Sequence, residues 1–214
     1  MDIGDWQGRW ASGQIGFHES QANAFLREHA GLLSPRGRVL VPLCGKSRDL
    51  TYLASQGHDV VGVEGVELAV DAYFAEAGQT PTRRLAGAHP VASAGTVGIV
   101  IGSFFDVRAS DVEPCDHAYD RAALIAVDPG ERERYVAKLR ELVRPGGKIL
   151  LVGFSYDQTR MAGPPWSLGD DDITRLFAGS KVDKLAEKDV TEESGRLRER
   201  GATWVREAAF LVTT

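Results

Sequence analysis

The apolar positions of this chain fall into short dense runs separated by amphipathic stretches, and that alternation predicts the elements. Arg38-Val-Leu-Val-Pro-Leu43 has the length and β-branched content of a buried strand. Cys44-Gly45-Lys46-Ser47 breaks it with a glycine turn. A helix follows, with Ser47 as N-cap, Asp49 in the first turn, Leu50, Leu53 and Ala54 on one face, and Gly57 at its end. Asp59-Val-Val-Gly-Val-Glu64 is a second buried strand that ends in a carboxylate. Around this βαβ unit the spacing predicts a helix from Glu19 to about Leu33, a second from Val66 to Ala77, and a third strand over Val97–Gly102. Residues 79–96, rich in prolines and small residues, read as an irregular connection. His117–Arg121 is the fourth strand. Asp128, Pro129 and Glu131 form a helix start of capping-box type, ahead of a face made by Tyr135, Val136, Leu139, Leu142 and Val143. Lys148–Phe154 is the fifth strand, Ile173, Leu176 and Phe177 mark a short helix, and strands near 181–187 and 203–213 form an antiparallel edge.

The βαβ unit carries the first chemical inference. Glu64 lies about twenty residues beyond the first turn, the spacing at which an acid accepts hydrogen bonds from ribose hydroxyls. Two rival motifs fail. Gly45-Lys46-Ser47 imitates the end of a P-loop, but that motif's first glycine would fall on Leu40, and Ser47 and Leu50 break the dinucleotide fingerprint. A nucleoside cofactor with no pyrophosphate to cradle follows, and S-adenosylmethionine is the commonest of that kind.

Charge and composition narrow the partner. The 214 residues suit a single α/β domain, and the net charge of -5 with no long basic run argues against nucleic acid or an anionic membrane. A small molecule fits better. Cys44 and Cys115 belong to no metal or redox spacing and are expected to be reduced. With no signal-peptide pattern and no apolar run near the roughly 18 residues of a membrane span, the expected compartment is the cytoplasm. The histidines lack metal-ligand spacing, so no metal is expected. His18-Glu19 begins like a zincin motif, but Ala22 stands where its second histidine would be.

Several residues carry two readings. Trp6, Trp10 and Phe17 sit in a glycine-rich arm over residues 1–18, which either packs onto the body or serves as a lid whose aromatic faces attract a sulfonium cation. Ser103-Phe104-Phe105-Asp106 ends the third strand, where a hydroxyl and a ring can meet an adenine or simply pack. Asp120-Arg121 falls at a strand's carboxyl end, where ligands sit in open α/β sheets, or forms an ion pair at the sheet edge.

Trp6-Gln-Gly-Arg-Trp10, Gly16-Phe17-His18, Val39–Ser47, Gln56-Gly-His58, Val60–Glu64, Tyr119–Ala126, Tyr156-Asp-Gln158 and Gly163-Pro-Pro165 together resemble the thiopurine S-methyltransferase family over nearly the whole chain. The resemblance implies a three-layer, Rossmann-like class I methyltransferase fold with a mostly parallel seven-stranded sheet and an antiparallel C-terminal edge. It implies S-adenosylmethionine as donor, S-adenosylhomocysteine as product, a thiol acceptor, and, in bacterial members, selenium and tellurium compounds as well. Donor contacts would fall on Trp6, Trp10, Leu43, Gly45, Glu64, Ser103, Phe104 and Arg121. Acceptor contacts would fall on Phe17, Trp166 and Arg196, with Arg121 and Asp120 as the catalytic pair in a monomer. Gly65-Val66, Ser103 and Trp166 depart from the family's usual residues. A donor-binding protein without catalysis and a nicotinamide-dependent oxidoreductase are the competing classes, the latter weakened by the missing fingerprint.

Overall fold

The computed structural model describes residues 3–13 and 19–214. In chain order the elements are α1 (Ile3–Ala11), α2 (Ala24–His29), β1 (Arg38–Pro42), α3 (Arg48–Ser55), β2 (Asp59–Glu64), α4 (Glu67–Glu76), β3 (Thr82–Ala86), β4 (His89–Ala94), β5 (Val97–Ile101), β6 (Cys115–Arg121), α5 (Arg132–Leu142), β7 (Val143–Ser155), α6 (Asp170–Leu176), β8 (Lys181–Asp189), α7 (Gly195–Glu199) and β9 (Arg206–Thr213). They build one sheet in the order β3-β4-β5-β2-β1-β6-β7-β9-β8. Strands β5, β2, β1, β6 and β7 are parallel, while β4 and β9 join them antiparallel. Because β1 pairs with β2 on one side and β6 on the other, the winding reverses between β1 and β6. That reversal opens a crevice at the carboxyl ends of the strands.

Both faces of the central strands are covered, so β1 shows no alternation: Val39 and Val41 pack with Phe25, Leu50 and Leu53 on one side, and Leu40 packs with Tyr135, Leu139 and Ile149 on the other. Ser47 caps α3, its side chain accepting from the Asp49 N–H at 3.1 Å, and Gly57 takes the left-handed φ of +88° that ends the helix. Among the described residues no helix is long and apolar enough to cross a membrane.

Three expectations need correction. The sheet has nine strands rather than seven, because residues 82–94 form a β3–β4 hairpin turning at Gly87 where an irregular connection was expected. Only the end of β3 and the middle of β4 are buried, so half-exposed strands with a proline lack the apolar density that marks a core strand. The first body helix starts at Ala24 rather than Glu19, because the Asn23 side chain caps it, accepting from the Phe25 and Leu26 N–H groups. The preceding residues are held by tertiary contacts described below. Ahead of α5 Asp128 caps a 3-10 turn through the Gly130 N–H, but Glu131 reaches forward to Arg134 at 3.0 Å instead of back, so the α-helix begins at Arg132.

Candidate active site

Two turns at the crevice set its first half. Leu43 follows β1 with φ +46°, a left-handed conformation that a branched side chain seldom takes, and Gly45 follows with φ +52°. A Cβ on Gly45 would stand 3.2 Å from the Trp10 ring, so the missing side chain lets α1 lie close over the turn. Glu64 ends β2 and is buried. Its Oε2 accepts from the Gly45 N–H at 2.7 Å and its Oε1 from the Val66 N–H at 2.9 Å. Burial pushes the carboxyl above its ordinary pKa, while the N–H groups of Val66, Gly45 and Gly65 pull it back. Each oxygen keeps a lone pair for a further donor. Lys46 turns away to Glu76 at 2.5 Å, which removes the cation a phosphate would need.

These turns belong to an open cleft of about 1750 Å³. Trp6, Trp10, Leu43, Gly45, Glu64, Ser103, Phe104, Arg121 and Arg196 all line it, so the fold brings those sequence-predicted residues together. Trp10 packs with Val66 and Ala69, fixing α1 against α4. Phe104 is nearly fully buried and its ring lies 4.9 Å from that of Tyr135. Phe17 lies outside the described residues.

Asp120 and Trp166 do not line the cleft. Asp120 is fully buried below the end of β6, where it accepts from the Tyr135 hydroxyl at 2.7 Å and the Leu124 N–H at 3.1 Å. Burial pushes its carboxyl up to about 6. It forms neither the sheet-edge pair with Arg121 that was the alternative reading nor the cleft contact that a catalytic role requires. Arg121 instead pairs with Glu19. Burial works against the guanidinium charge, but Glu19, Asp49 and Tyr119 outweigh it and hold the proton. Trp166 stacks on Gly163, where a Cβ would collide with the ring, and its neighbours Pro164 and Pro165 reach the cleft in its place.

Glu19, Asp49, Tyr119 and Glu207 also face the cleft and were not among the site residues expected from the sequence. Asp49 accepts from the Asn23 N–H at 2.7 Å and the Tyr119 hydroxyl at 3.1 Å. Asn23 Nδ2 donates to Glu207 Oε1 at 3.3 Å. Asp49 and Glu207 stand second in α3 and β9, Tyr119 lies within β6 and Glu19 precedes α2, so no single spacing marks the group. Residues 19–23 are drawn over the crevice by these bonds, which is why they leave the helical path.

The outer wall is built differently. Tyr156, Met161, Ala202 and Val205 make a small separate core. From it the Tyr156 hydroxyl donates to the Pro165 carbonyl at 2.6 Å, and Arg200 donates to the carbonyls of Pro164, at 2.8 Å, and Ala162. Pro164, Pro165 and α7 thereby form one side of the cleft.

A doubly wound sheet with a buried acid ending β2, a glycine turn without phosphate-binding features and a cleft at the β1/β6 reversal defines a class I S-adenosylmethionine-dependent methyltransferase. Solved structures with the same fold include a SAM-dependent methyltransferase from Anabaena variabilis, with a TM-score of 0.67 and 13% identity covering 100% of this chain and 95% of that one. Another is the Burkholderia thailandensis 1,6-didemethyltoxoflavin-N1-methyltransferase with S-adenosylhomocysteine bound, with a TM-score of 0.65 and 18% identity over 99% of this chain and 87% of that one. The chain belongs to the thiopurine S-methyltransferase family, whose model matches residues 1–214. It is 43% identical to the thiopurine S-methyltransferase of Pseudomonas putida over 100% of both chains, and 43% identical to that of Azotobacter vinelandii over 96% of this chain and 95% of the other.

Proposed function

We propose that this methyltransferase transfers the methyl group of S-adenosylmethionine to the sulfur of thiopurines or other small aromatic thiols, and that selenium and tellurium compounds are further acceptors. The observation that carries this reading is Arg121: a cation on the cleft floor, at the strand next to the donor turn, suits an acceptor that reacts as an anion. The donor supplies an electrophilic methyl carbon bound to a sulfonium. Glu64 uses its remaining lone pairs for the ribose hydroxyls, Ser103 and Phe104 border the adenine, and Trp6 and Trp10 cover the site from α1 as a lid that excludes water. Phe17 and Arg196 contact the acceptor, and Pro164 and Pro165, which face the cleft where Trp166 does not, bound it. Holding sulfur and methyl in near-attack geometry supplies on the order of 7–11 kcal/mol, so positioning dominates. Arg121 adds about 1.4 kcal/mol for each unit by which it lowers the thiol pKa. We take the protein to act as a single domain, a monomer, in the cytoplasm, on small molecules rather than nucleic acid.

The test is formation of S-adenosylhomocysteine with a panel of a thiopurine, a thiophenol, a selenite-derived selenol and tellurite. Turnover with a thiol upholds the reading. Calorimetric binding of the donor with no turnover across the panel would replace it with a donor-binding role.

A further inference from the structure

One carboxylate in the cleft has no part in the roles above. Glu207, the second residue of β9, is half buried and faces the cleft beside the Arg121–Glu19 pair. In the sheet it stands opposite Phe154 of β7 and Lys188 of β8. Its Oε1 takes the single hydrogen bond from Asn23, and among the described residues its Oε2 takes none. The two buried cleft carboxylates, Glu64 and Asp49, and the exposed Glu19 beside Glu207 are already engaged. Glu64 holds two backbone N–H groups, Asp49 holds the Asn23 N–H and the Tyr119 hydroxyl, and Glu19 holds Arg121.

A thiol that arrives un-ionised must lose its proton before its sulfur can take a methyl group. Resting on the thiol reading above, we infer that Glu207 is the general base that takes this proton, through Oε2. The acceptor S–H bond breaks and its proton passes to Glu207. The electron pair left on sulfur forms the new S–C bond, and the donor's C–S bond breaks, its pair neutralising the sulfonium. Glu207 then returns the proton to water. Arg121, on the same floor, stabilises the thiolate as it forms. The surroundings favour this exchange: burial and the neighbouring Glu19 raise the Glu207 carboxyl above its ordinary pKa, while Arg121, Asn23 and Lys188 pull it back. A carboxylate so placed holds a proton more readily than one in water.

Glu207→Gln keeps the side chain's shape and an oxygen for Asn23 but removes the base. Wild type and variant are compared with phenylmethanethiol, un-ionised at neutral pH, and with 4-nitrothiophenol, already a thiolate there. General-base catalysis predicts a loss of roughly 10²–10⁴-fold in kcat/KM with the first acceptor and less than about threefold with the second. The wild-type profile with phenylmethanethiol should show an acid limb above the ordinary carboxylate range, and the variant should lack it. Donor affinity by calorimetry should be the same in both proteins. Equal losses with both thiols, or no loss with either, would overturn the inference while leaving thiol methylation intact. A wild type that binds donor yet methylates neither thiol would overturn the thiol reading itself, and the base with it.

Discussion

The two halves of the cleft are held by different means. On the side proposed for the donor the backbone sets the shape: Leu43 and Gly45 sit in left-handed conformations, and the Glu64 carboxylate is fixed by two N–H groups from its own and the neighbouring turn. On the side proposed for the acceptor the wall is held by side chains that reach backbone carbonyls, Tyr156 to Pro165 and Arg200 to Pro164, over a small core of its own. The contrast has a physical consequence. A donor of fixed shape can be met by main-chain geometry that most substitutions leave alone, whereas a wall clasped by side chains can be reshaped one residue at a time without disturbing the donor.

The strongest way to break this contrast is to remove the donor-side anchor. Glu64→Ala strands the Gly45 and Val66 N–H groups, each costing about 1–3 kcal/mol when buried without a partner, and deletes the proposed ribose acceptor. Donor affinity by calorimetry should fall on the order of 100-fold, about 2.8 kcal/mol, and urea unfolding should shift to lower concentration. An unchanged donor Kd would remove Glu64 from the donor site.

A second test addresses β6, the strand both halves share. The Asp120 carboxyl, raised to about 6, lies above the roughly 3.9 of an unfolded chain. Between those values the folded protein keeps a proton that the unfolded chain has lost. The contribution is therefore fully present below about pH 4 and lost as pH rises through about 6, by on the order of 3 kcal/mol. His117 runs the other way, since burial lowers its pKa and its contribution fades as pH falls below the ordinary histidine range. Asp120→Asn leaves His117 in place, so wild type minus variant isolates the aspartate. Urea unfolding from pH 4 to 7 should show that difference shrinking or reversing as pH rises; a constant difference would contradict the buried-acid account.

The smallest effect sharpens the contrast. Arg200→Ala removes two hydrogen bonds from a partly solvated clasp, a loss of about 1 kcal/mol. The acceptor KM should rise about fivefold. Donor Kd should not move, and a parallel change in it would mean that the halves are not separable.

The same contrast explains what could be read from the chain. The β1–α3–β2 unit is local: strand, glycine turn, Ser47 cap and terminal Glu64 lie within one continuous stretch, so pattern and spacing suffice. The β3–β4 hairpin is equally local but half exposed, and its polar positions hide the period. Asp120 was legible as a strand-end carboxylate, yet its partner Tyr135 lies on α5, and only the packed structure turns it inward, away from the cleft. Glu19 and Asn23, Asp49 and Glu207 meet from three parts of the chain, and no spacing encodes that meeting. Trp166 and Arg200 exchange the importance their types suggest, because the ring is spent on Gly163 while the arginine clasps the wall.

The most direct test of methyl transfer to sulfur follows the methyl group itself. S-adenosylmethionine carrying a deuterated methyl is incubated with thiophenol and the protein, and the products are resolved by mass spectrometry. The account predicts deuterated methyl phenyl sulfide and S-adenosylhomocysteine in equal amounts. Label remaining in the donor while calorimetry shows it bound would contradict it.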